Sequence, residues 1–135
     1  MTGSPGAWPH LALLAARLLI ALLFLAGAVQ KLAAPAGAMA LLDARGLPTG
    51  LIWPALTFNA AAGAMLCVGV GVQPLALVLA AYCGVTSVFH LIPTDPWQMS
   101  IFVKNWSIAG GCLALAVAGS GRYAIRPDRA MGQPC

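Results

Sequence analysis

Residues 11–32 form a run of 22 with only two charged groups, Arg17 inside it and Lys31 near its end. As a helix such a run rises about 1.5 Å per residue, enough to cross a hydrocarbon core of about 30 Å. A guanidinium inside a lipid-crossing segment is costly. It either turns toward other helices or stretches its stem to the headgroups. Spacing favours the first outcome. Arg17, Phe24 and Lys31 lie seven residues apart, and seven helical steps return to within about 20° of the start. The three share one face, with Gly27 leaving a notch beside it. This stripe is expected to face the bundle interior, with Arg17, Phe24 and Gly27 in a structural role within the membrane.

The rest of the composition agrees with lipid as the solvent. Of 135 residues, 61% are apolar and 7% are charged, whereas a soluble domain is about 25% charged. A soluble fold of this size could not bury so much apolar surface. The length suits one domain, expected to cover residues 1–135. The net charge of +4 comes from seven scattered basic groups and three aspartates, with no glutamate. There is no basic stripe, so nucleic acid is not an expected partner, while membrane lipid is. Cys67, Cys83, Cys112 and Cys135 form no C-x-x-C pair. Those within apolar segments read as small hydrophobes.

Residues 1–9 read as a short irregular tail carrying Trp8 as an interfacial anchor, with His10 at the rim. Ala26-Gly27-Ala28 resembles a signal-cleavage site, but nothing before Arg17 is basic, so this run is expected to remain as the first span. Pro35 and Gly46 are suited to open and close a short interfacial helix. A second span, about 54–72, contains Asn59. The tight link Gly71-Val72-Gln73-Pro74 leads to a third span, about 74–91, with His90 at its end. Residues 92–100 read as a proline-punctuated loop holding Asp95 and Trp97. A fourth span, about 101–119, begins with Lys104 and Asn105. Ala60/Ala64 and Gly110/Ala114/Ala118 repeat small residues at four-residue spacing, a pattern that reads as close helix packing. The segments are too long and too evenly apolar for barrel strands. The expected architecture is all-α: an integral membrane four-helix bundle with a short interfacial helix between the first two spans.

Four spans put both termini on one side. The tail arginines Arg122, Arg126 and Arg129 sit on that side, and Lys31, Arg45 and Lys104 on the other. Charge bias weakly favours the terminal side as cytoplasmic. The opposite rim gathers Lys31, Asn59, His90, Lys104 and Asn105, with Asp95 in the loop above. Bundle interiors commonly host ligands, and two lysines favour an anionic or carbonyl-bearing one, such as a lipid headgroup or a quinone ring. A plainer reading is that these are wetted rim residues paired with each other. His10 and His90 fall at opposite membrane faces, about 30 Å apart, which excludes a shared haem iron. No metal-ligand spacing, phosphate loop, nucleophile elbow or carboxylate pair is present, so no catalytic residue is assigned.

Several motifs together resemble the DoxX family of small bacterial membrane proteins. They are Arg17-x6-Phe24-x2-Gly27-x3-Lys31, then Pro35 with Gly46-Leu47-Pro48, and His90 at the end of the third span. Phe102-Val103-Lys104-Asn105, Gly110-Gly111 and the GxGR ending at Arg122 follow in the same order. There are departures. Members commonly carry a glutamate where this chain has Asn59, which cannot ionise, and the family's exit pattern differs after Arg122. The family is named for a subunit linked to a quinone-reducing thiosulfate oxidoreductase, and most members have no assigned activity. The resemblance therefore implies an accessory subunit of a bacterial electron-transfer complex in the inner membrane. It would pack by its helices against other subunits, hold quinone or lipid, and have no activity of its own. Two alternatives stand beside it: a quinone-linked oxidoreductase component with its own pocket, and an assembly factor for other membrane proteins.

Overall fold

The computed structural model describes residues 6–132. Five helices account for most of them: α1 (Ala7–Ala33), α2 (Pro35–Asp43), α3 (Ile52–Val68), α4 (Val72–Ser87) and α5 (Pro96–Ala118). With short 3-10 turns at Thr49–Leu51 and Val88–His90 included, four segments are long and apolar enough to cross a membrane. α2 is the short helix between the first two. The fold is all-α.

Three boundaries differ from the expected ones, each for a local reason. α1 starts at Ala7, so Trp8, Pro9 and His10 are helical. Pro9 falls in the first turn, where a missing N–H costs nothing. α5 starts at Pro96, because Asp95 is a capping residue. Its Oδ1 accepts from the N–H groups of Trp97 (3.0 Å) and Gln98 (3.3 Å), the arrangement that opens a helix with proline at its first position. The link between the second and third spans is Gly69-Val70-Gly71, earlier than residues 71–74. Gly69 (φ +74) and Gly71 (φ +58) take the left-handed turn, and Val72 already begins α4. α2 ends as its sequence suggests. The N–H of Leu47 donates to Leu42 O and that of Gly46 to Asp43 O, around Gly46 at φ +69.

The bundle is two tight helix pairs. α1 packs on α3, α4 packs on α5, and the pairs meet more sparingly. Ala21, Phe24, Ala62, Leu66, Leu79, Cys83, Cys112 and Leu115 form the shared core. Gly63 sets the α1–α3 approach, since a Cβ there would lie 2.6 Å from Leu25 Cγ. The small-residue repeats mostly lie elsewhere. Ala64, Gly110 and Ala114 are exposed, and a Cβ added at Gly110 would meet nothing within 4 Å. They face outward and do not mediate packing within the chain.

Beyond α5, residues 119–132 fold back as a strap across the bundle end that holds the α3–α4 turn. Ile125 and Arg126 donate backbone N–H groups to Val68 O and Gly69 O. Asp128 Oδ2 accepts from the Gln73 N–H at 3.1 Å, and Ser120 Oγ accepts from the Asp128 N–H at 2.7 Å. Cys135 lies outside the described residues.

Candidate ligand-binding site

At the end of the bundle away from the strap, the two helix pairs enclose a cavity of about 560 Å³. Lys31 from α1, Asn59 from α3, His90 after α4, and Lys104 and Asn105 from α5 all line it. The antiparallel order makes this possible, because α1 and α4 end here while α3 and α5 begin. Leu42, Leu51, Ile52, Phe89 and Ile101 supply apolar wall. α2 roofs the cavity with Ala38, Leu41 and Leu42, and Arg45 beyond it donates from Nη2 to Val88 O at 2.6 Å, tying that roof to the end of α4.

The polar groups form a connected line. The Asn59 amide satisfies three neighbours when Oδ1 accepts from Lys31 Nζ (3.1 Å) and Nδ2 donates to Tyr82 OH (3.1 Å) and Ala55 O (3.3 Å). Lys31 Nζ also donates to Gly27 O at 3.4 Å. Gly27 leaves room for this closeness, since a Cβ there would lie 3.2 Å from the Asn59 amide and press it aside, while its 3.7 Å to Lys31 Nζ would be ordinary contact. Both oxygens offered to the Lys31 ammonium are thus uncharged. Among the described residues no aspartate or glutamate lines the cavity. Asp43, next to Leu42, is exposed, and Asp95 caps α5. His90 pairs with Gln98, its Nδ1 lying 2.7 Å from Gln98 Oε1. Gln98 reaches it because residues 96–100 are helical.

Tyr82 is the site residue that sequence reasoning missed. It lines the cavity, hydrogen-bonds Asn59, and packs on Phe58 with ring centroids 4.9 Å apart and planes tilted by 48°. Phe24 lies 6.2 Å from the same ring. A signal was available. Asn59 lies 11 residues before Val70 and Tyr82 lies 12 after it, so a hairpin turning at Val70 sets both at one depth.

Arg17 is at the other end. It is 1% exposed and lies far from the cavity residues, although it shares a helix face with Phe24 and Lys31. Its Nη1 donates to Ser120 O (2.8 Å) and its Nη2 to Tyr123 O (2.6 Å). The guanidinium therefore turns inward and grips the strap. Phe24 and Gly27 line the cavity. His10 is also on the strap side, where its Nδ1 accepts from the Arg122 N–H. Among the described residues, no three His, Cys, Asp or Glu side chains converge to hold a metal ion.

Four apolar crossing helices define a multi-pass membrane protein. The DoxX family model matches residues 12–91, more than half of the chain, and the chain belongs to the DoxX family. It is also similar to Inner membrane protein YqjF of Escherichia coli (strain K12), with 29% identity over 113 residues, 83% of this chain and 87% of that protein. No solved structure matches it. The family match ends before α5, so Lys104 and Asn105 lie beyond the shared segment.

Proposed function

We propose that this inner-membrane protein is an accessory subunit of a bacterial electron-transfer assembly, holding a membrane-borne ligand, lipid or quinone, in its cavity. The observation that carries the reading is the cavity itself, which pairs two lysines with an apolar wall and no carboxylate. Such a site suits a ligand with a polar head and a greasy body. Outward small-residue faces on α3 and α5 support close approach by neighbouring helices, where van der Waals packing drives association in lipid. Extraction from native membranes in a gentle detergent, followed by mass analysis, tests this. The chain is expected to travel within a larger complex, and a solitary particle contradicts the subunit reading.

A second reading, a quinone-linked component with its own chemistry, is favoured by the Lys31–Asn59–Tyr82 line and by His90 beside it. Asn59 carries no ionisable proton, so a proton step would fall to Tyr82 or His90. Replacing Lys31 and Lys104 together by alanine is expected to weaken quinone retention under this reading. Unchanged retention removes it. An assembly-factor role remains the third reading and would show as transient association with immature partners only.

A further inference from the structure

We infer that the cavity takes an anionic phospholipid, its phosphate bound by Lys31 and Lys104 and its acyl chains leaving between α1 and α5. This rests on the reading that the cavity holds a membrane ligand, and it names that ligand's chemistry.

The first ground is charge. Among the described residues, two lysines and no carboxylate line the cavity. Within that set the half-buried Lys31 ammonium meets two uncharged oxygens, those of Asn59 and Gly27. A buried ammonium without a counter-charge is unfavourable. A neutral quinone leaves that imbalance in place, whereas a phosphodiester removes it through charge-assisted hydrogen bonds. Asp43 and Asp95 sit close in sequence to lining residues without lining the cavity themselves: Asp43 is exposed, and Asp95 Oδ1 turns to the α5 backbone.

The second ground is shape. Tyr82 stands between the cavity and a shallow apolar groove on the outer α3–α4 face, and its tilted contact with Phe58 covers that flank. On the other flank, Ala26 and Gln30 of α1 and Lys104 of α5 line the cavity and are exposed. Because α1 and α5 also touch only sparingly, we place the mouth between them, with the phosphate at this polar end of the helices and the chains along their apolar length. Trp97, also lining the cavity and 72% exposed, suits the headgroup layer at that mouth.

The test uses the purified, delipidated full chain, with bound mass read by native mass spectrometry. The probes are dioleoylphosphatidylglycerol, dioleoylphosphatidylethanolamine, decylubiquinone and inorganic phosphate. Both lipids offer the phosphodiester, but phosphatidylethanolamine adds an ammonium that two lysines repel, so phosphatidylglycerol is expected to bind about tenfold more tightly. Lys31→Gln and Lys104→Gln are each expected to erase most of that preference. Lys104 is exposed, so Lys104→Gln reports on binding even where Lys31→Gln disturbs the fold. Equal binding of the two lipids, or an unchanged preference in Lys104→Gln, overturns the inference. Displacement of phosphatidylglycerol by an equal concentration of inorganic phosphate also overturns it, making the site one for free phosphate. Tighter binding of decylubiquinone overturns the lipid identity and leaves the membrane-ligand reading standing. Binding of none of the probes overturns both.

Discussion

Arg17 Nη1 lies 2.8 Å from the carbonyl oxygen of Ser120, 103 residues further along the chain. Through that bond and its neighbour to Tyr123 O, the first span holds down the last segment of the described fold. A buried cation that donates to backbone carbonyls of a non-helical strap is a device for satisfying backbone groups that α5 no longer pairs. It also bears on Gly69, where φ is left-handed and an added Cβ would lie only 2.6 Å from Arg17 Nη1.

Loss of this grip is expected to free the strap before it unfolds the bundle. Lysine cannot reproduce the two-pronged geometry of a guanidinium. Arg17→Lys is therefore predicted to cost about 1–3 kcal/mol, the range for buried groups that lose a charged partner. Hydrogen exchange at Ile125 and Arg126, whose amides donate to Val68 O and Gly69 O, is predicted to quicken first. Exchange rates equal to wild type would show that the strap is held by other contacts alone.

Glycines on this bundle are predicted to divide sharply. Gly63→Ala forces Leu25 aside in the α1–α3 interface, and overpacking of that kind costs about 1–3 kcal/mol. Gly110→Ala projects into open space and is predicted to stay within about 0.5 kcal/mol of wild type in the isolated protein. Thermal unfolding in detergent measures both. If Gly110→Ala is as damaging as Gly63→Ala, the outward placement of the α5 repeat is wrong.

Asn59→Asp gives Lys31 an internal carboxylate at the position of an amide oxygen now 3.1 Å away. An internal ion pair removes the need for an external anion. The substitution is predicted to lower phosphatidylglycerol retention about tenfold while leaving cavity volume unchanged. Asn59→Leu, which removes the acceptor without adding charge, is predicted to retain the lipid. Native mass spectrometry of the two variants separates a charge requirement from a shape requirement.

Orientation is predicted from the strap. A cysteine at Arg129, exposed on the strap, and one at Asp43, exposed at the end of α2, lie at opposite ends of the bundle. The arginines near the strap favour that end as cytoplasmic. In intact spheroplasts an impermeant thiol reagent is predicted to label Asp43→Cys and to spare Arg129→Cys. The reverse pattern inverts the topology.

The four crossings were legible because their apolar runs match the thickness of a bilayer, and Pro35 and Gly46 marked the short helix between the first two. Helix starts were less so. Asp95-Pro96 is a capping pair, yet its prolines and polar neighbours read as a loop until the Asp95 bonds are seen. Small-residue spacing marked a face on α5 without saying what meets it, because Gly110 and Ala114 look alike whether they touch a sibling helix or face away. The cluster of Lys31, Asn59, His90, Lys104 and Asn105 followed from helix direction alone. Tyr82 could have been placed at the depth of Asn59 from the hairpin about Val70, but Gln98 depended on the unforeseen helical start at Pro96 and the strap on contacts between distant segments.

The most direct measurement is an experimental density map of the protein in nanodiscs carrying bacterial lipids. Headgroup density is predicted between α1 and α5, with a phosphate oxygen about 3 Å from Lys31 Nζ. A cavity holding only water, or a Lys31 ammonium paired with a protein carboxylate, would contradict the claim that this site exists to bind an anionic membrane ligand.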